Sequence, residues 1–96
     1  MSWPFPDPPI TPTVTVRQIA EGGHPILYVV HDAEAGWQFL TGGKFIADDS
    51  LLVALRVMVE LDPTLRELAD LPLGWEAERK DKNQSWARWE TPYEDT

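Results

Sequence analysis

The chain contains no cysteine, which excludes a disulfide framework and thiolate chemistry and fits a reducing compartment. Its two histidines, His24 and His31, stand seven positions apart without cysteine neighbours, too sparse a set for a metal site. Asp48-Asp49 lacks the regular oxygen-ligand spacing of a calcium loop. Basic residues are scarce: eight Lys plus Arg face sixteen Asp plus Glu, for a net charge of −8. Such a charge repels nucleic-acid phosphates and anionic lipid, and favours encounter with a basic protein partner. No apolar run approaches the about 20 residues of a spanning helix. The first residues lack the basic and apolar regions of a signal peptide. The expectation is a soluble, cytoplasmic protein with no membrane or nucleic-acid partner.

Recognisable catalytic motifs are missing too. Ser2, Ser50 and Ser85 are the only serines, and none sits in a Gly-x-Ser-x-Gly elbow. Gly22-Gly23 and Gly42-Gly43 lack the continuation of a phosphate loop or dinucleotide fingerprint. No catalytic residues, metal or cofactor are therefore assigned, and a non-enzymatic role is expected.

What is present suits one domain of 96 residues with a hydrophobic fraction of 43%. Residues 1–12 form an arm holding five of the nine prolines, Pro4, Pro6, Pro8, Pro9 and Pro12. Fixed φ angles and missing donors keep such an arm out of a central strand. Trp3 and Phe5 are its apolar anchors. Residues 13–90 form the domain and 91–96 an acidic tail. Residues 13–20 alternate, with Val14 and Val16 on one face and Thr13, Thr15 and Ile19 on the other. The centre, residues 25–43, reads as a hairpin. Ile26, Leu27, Tyr28, Val29 and Val30 run into the polar loop 31–36, then Trp37, Phe39 and Leu40 run to Gly42-Gly43.

Residues 51–61 are ambiguous. Leu51, Val53, Leu55, Val57, Val59 and Leu61 alternate as a strand would. Length, a start signal at Asp48-Asp49-Ser50 and the Arg56–Glu60 spacing favour a helix. Asp62-Pro63 opens a second helix, with Leu65, Leu68, Ala69 and Leu71 inward, and Pro72 ends it. Beyond Gly74, Trp75, Ala77 and Arg79 share one face of a strand, and residues 85–90 supply another. The expected fold is α+β: an antiparallel sheet of three to five strands with two consecutive helices packed on one face.

Three stretches carry a resemblance: Ala20-Glu-Gly-Gly with Pro25-Ile-Leu-Tyr-Val-Val-His-Asp; Gly36-Trp-Gln-Phe-Leu; and residues 60–79, ending Leu-Pro-Leu-Gly-Trp-Glu-Ala-Glu-Arg, with Trp86 following. Over residues 13–90 the chain resembles a group of small bacterial proteins of uncharacterised function, similar to the immunity proteins that accompany polymorphic toxins. The resemblance implies a compact α+β domain without established catalytic residues.

On this basis the expected function is protein binding by an acidic, immunity-like module. Asp32 and Glu34 in the hairpin loop and Asp48 and Asp49 would meet a basic partner. Trp75, Trp86 or Trp89 would be the apolar anchor, one tryptophan lying exposed near Arg79 or Arg88. Two alternatives stand beside it. One is a structural accessory protein or homodimer; the other is a small-ligand protein or enzyme using His31 with nearby carboxylates.

Overall fold

The structure is a computed structural model that describes residues 2–92. Most of the acidic tail, 93–96, therefore lies outside the described residues. The strands are β1 (Pro12–Val16), β2 (Tyr28–His31), β3 (Trp37–Leu40), β4 (Ser50–Ala54), β5 (Trp75–Glu78) and β6 (Ala87–Glu90). The helices are a single turn α1 (Arg17–Ala20) and α2 (Leu55–Leu61), and 3-10 segments cover Ala47–Asp49 and Pro63–Leu68.

The fold is α+β, but the sheet exceeds the three to five strands expected. Six strands form one sheet in the order β4-β1-β3-β2-β5-β6. It is also mixed, because β1 runs parallel to β3 while every other neighbouring pair is antiparallel.

The extra strand comes from residues 51–61, which are neither all helix nor all strand. Ser50–Ala54 pairs with β1, and Leu55–Leu61 is helical. The expected cap at Asp48-Asp49-Ser50 instead forms a 3-10 turn, and α2 has no side-chain cap. Two of its first amides are satisfied from far away in sequence. Leu55 N–H donates to Thr11 O (2.8 Å) and Arg56 N–H to Pro9 O (2.9 Å). The proline arm thus supplies backbone carbonyls to orphan helix donors. The arm is packed, with Phe5 buried and Trp3 half-buried against the core.

Asp62-Pro63 behaves as the sequence suggests. The Asp62 carboxylate accepts from Thr64 N–H (3.0 Å), and Leu65, Leu68 and Leu71 are buried. The resulting turns over Pro63–Leu68 are 3-10 and not α.

Register assigns every strand residue to a face. Thr13, Thr15, Val29, Trp37, Phe39 and Ala77 share the buried face, in one core with Leu55, Met58, Val59, Leu65 and Leu68. In β1 it is the threonine side that turns inward. The two hydroxyls donate to Val53 O (2.7 Å) and Phe39 O (2.8 Å), so neither is buried unpaired.

Candidate functional site

The other face of the sheet is open. It carries Val14, Gln38, Val30, Tyr28, Leu52, Glu76, Glu78 and Trp89, half-buried or exposed except for Glu76, whereas Val16 and Leu40 at its Ser50 end are buried. At its β5 side the alternation of Trp75–Glu78 turns two carboxylates outward. Glu76 lies directly opposite Val30 on β2 and Trp89 on β6. It accepts hydrogen bonds from Trp89 Nε1 (2.7 Å), Tyr28 Oη (2.9 Å) and Thr91 Oγ1 (3.0 Å). Only 9% of the residue is exposed, and none of its described hydrogen bonds comes from a cation. Three neutral donors hold this carboxylate in one orientation at the foot of an indole.

Tyr28 records that environment. Burial first, then its hydrogen bond to Glu76 and the charges of Glu76 and Glu78, push its phenol from 10.0 up to about 12. A raised folded value means that the Tyr28 contribution to stability is whole below pH 10.0 and disappears as pH rises through about 12. Near-ultraviolet titration should show one late tyrosinate transition. Tyr28→Phe should remove it, and Glu76→Gln should bring it earlier. A Tyr28 that ionises with free tyrosine would contradict this geometry.

The seven residues singled out in the sequence do not form one surface. The hairpin loop with Asp32 and Glu34 lies at the His31–Trp37 end of the sheet. Asp48 and Asp49 precede Ser50, which pairs with Val16 at the opposite end, a strand length of roughly 13 Å away. Asp32 is committed to its own loop, accepting from Glu34 N–H (2.8 Å) and Gly36 N–H (3.0 Å). A Cβ on Gly36 would fall 2.6 Å from Asp32 Oδ2, so a larger residue there would have to displace the Asp32 carboxylate. Asp49 is tied back to α1 by Gln18 Nε2 (2.9 Å) and Arg17 Nε (3.4 Å). Glu34 and Asp48 are exposed.

The tryptophans divide as well. Trp75 and Trp86 are on the core side, and Trp89 alone is on the open face. The arginine expected beside an exposed tryptophan is internal: the Arg79 guanidinium sits 4.1 Å from the Trp86 ring centroid and is buried. It donates to Ile26 O from Nε (3.1 Å) and Nη2 (2.9 Å), to Thr64 Oγ1 (2.9 Å) and to Asp62 Oδ2. This is internal bracing, and Arg88, the other arginine the sequence offers, pairs with Asp70 at 2.9 Å.

Comparison with protein-family models, curated proteins and solved structures gives no match. The likeness to immunity-type proteins accordingly rests on the sequence stretches alone.

His31 is the remaining candidate. Its ring stacks on Trp37 at 3.8 Å and 8°, and Nδ1 pairs with Leu71 O at 2.7 Å. With Nδ1 donating to that carbonyl, Nε2 is left as a buried lone pair without a partner. The residue lines a surface depression of about 500 Å³ with Pro6, Asp7, Pro8, Ala69 and Leu71. None of its described hydrogen bonds joins it to a serine or a carboxylate. Among the described residues no group of three or more His, Asp or Glu is arranged to hold a metal ion, and no helix is long and apolar enough to cross a membrane.

Sequence reasoning missed Glu76, Tyr28 and Thr91. The alternation at 75–79 was a usable signal, since it already placed Glu76 and Glu78 together opposite Trp75. What it lacked was the neighbouring strands.

Proposed function

We propose that the protein is a small cytoplasmic, non-enzymatic binding module of the immunity-like kind whose open sheet face receives a basic protein partner. The observation that supports this reading is the composition of that face. Its strand residues include Glu76, Glu78, Tyr28, Trp89 and several aliphatic side chains, and no lysine or arginine. An apolar surface with fixed carboxylates complements a partner that presents Lys or Arg beside apolar groups. Trp89 is the anchor and Glu76 the oriented acceptor. In this reading the two helical segments pack together behind the opposite face and act as its backing.

The product of the neighbouring gene, purified, is the first probe. Binding is expected, with an association rate that falls as salt rises. Glu76→Gln or Trp89→Ala should weaken the complex by about 1–3 kcal/mol. A salt-independent rate together with unaltered binding by both variants would sink the reading.

A second reading, a small-ligand site at His31, is favoured by the unpartnered Nε2 beside an apolar depression. A fragment screen by NMR distinguishes the two. Ligands that shift His31 and Leu71 while leaving Glu76 and Trp89 unmoved would favour it.

A further inference from the structure

Arg17, Arg79 and Arg88 each meet a carboxylate within 3.4 Å, but Arg66 meets none among the described residues. Its one described hydrogen bond is long, from Nη1 to Ser2 O at 3.3 Å. Arg56 is scarcely better served. It reaches Glu60 only at 3.9 Å with both side chains more than half exposed, an i,i+4 pairing that is weak in water. These two arginines line one cleft of about 360 Å³ between the proline arm, α2 and the 3-10 stretch Pro63–Leu68. Trp3 and Pro9 of the arm and the buried Val59 of α2 form its apolar walls. Glu60 is the one carboxylate among its lining residues, so in a chain of charge −8 this cleft is locally basic. Its walls are also held in place. Trp3 Nε1 donates to Asp7 O (2.6 Å), its ring lies 5.4 Å from Phe5, and Pro9 O accepts from Arg56 N–H (2.9 Å).

We propose that this cleft binds a small aromatic anion, its ring against Trp3 and its carboxylate or phosphate held by Arg56 and Arg66. A guanidinium matches such an oxyanion with paired N–H donors, and an indole beside it offers a flat apolar surface to a ring. Charge and space select this class of ligand. A neutral aromatic gives the two guanidiniums no anionic partner, and a cation meets them as like charges. A nucleic acid is repelled by the −8 of the whole chain, whereas a ligand with one or two charges feels far less of it. The cleft lies within the roughly 300–1,000 Å³ of small-molecule sites. Glu60 occupies the place of the anion only loosely, so the ligand's oxyanion displaces it from Arg56. Because the walls come from the arm and from α2, a ligand held between them favours the docked arm. No strand residue lines the cleft, so it is separate from the partner face at Glu76, and it shares no lining residue with the depression at His31.

An NMR titration of the whole chain with benzoate and with phenyl phosphate tests it, with benzamide as the neutral control and benzylamine as the cationic one. At least one anion should give saturable shifts at the Trp3 indole N–H and at Arg56 and Arg66, with a dissociation constant on the order of 1 mM for so small a probe. The stronger of the two anions names the oxyanion. Benzamide and benzylamine should leave these signals unmoved. Arg66→Gln and Arg56→Gln should each weaken binding about tenfold, and Glu60→Gln should strengthen it several-fold. Amide exchange at Leu55 and Arg56 should slow at saturation, since their carbonyl partners Thr11 and Pro9 are on the arm. Absence of saturable shifts with both anions would overturn the proposal. So would equal binding of benzamide, or anion binding indifferent to both arginine variants.

Discussion

Arg79→Ala is expected to lose about 3–5 kcal/mol of stability, a large part of what a domain of this size possesses. The side chain is 1% exposed and its partner Asp62 is 18% exposed. Truncation strips two donors from Ile26 O, one from Thr64 Oγ1 and one from Lys82 O, and leaves the Asp62 carboxylate without its cation. It also removes the charge over Trp86. These partners belong to four segments: the approach to β2, the start of the 3-10 stretch, the loop after β5 and the entry to β6. One guanidinium closes all four, because its fork presents donors in several fixed directions at once. Arg79→Lys keeps the charge but not the fork, so it should recover only part of the loss. Urea unfolding followed by circular dichroism measures both. A cost under about 1 kcal/mol for Arg79→Ala would reduce this cluster to the standing of a surface ion pair.

The second large effect is expected at Trp37. Trp37→Ala should cost about 3–5 kcal/mol and release the N-terminal arm with it. The indole is 1% exposed, stacked on His31, parallel to Phe39 at 6.0 Å and met edge-on by Phe5 at 5.4 Å. Its Nε1 donates to Asp7 Oδ1 (3.2 Å). Both contacts to the arm, Phe5 and Asp7, depend on this one ring. Release has a local readout, because the Leu55 and Arg56 amides bond to Thr11 and Pro9. Hydrogen exchange at those two amides should accelerate in Trp37→Ala beyond the change at Met58 in the middle of α2. Phe5→Ala should reproduce the exchange effect with a smaller global cost. If Leu55 and Arg56 stay protected in both variants, the arm does not depend on Trp37.

Some of this was legible in the residues. The hairpin was, because Val29 and Val30 against Trp37 and Phe39 alternate around a loop whose Asp32 and Gly36 turn the chain locally. Asp62-Pro63 was also legible, since a cap and its first amides lie within three residues. Residues 51–61 resisted for a physical reason. Ser50–Ala54 is a strand because β1 lies alongside it, and the helix starts at Leu55 because the arm's carbonyls reach its amides. Both partners are about forty residues earlier in the chain, so no local period could mark the boundary between Ala54 and Leu55. The candidate site divides in the same way. Acidic excess and surplus tryptophan were visible as composition, but which carboxylate meets which indole was not.

The local alternations, the turns, the charge of −8 and the absence of cysteine each follow from a residue and its near neighbours. The tertiary structure alone decided that Thr13 and Thr15 turn inward while Glu76 and Trp89 meet outside. It also decided that Asp32 and Asp48 stand at opposite ends. Strand order and register set those outcomes, and they come from backbone hydrogen bonds between segments that the chain keeps far apart.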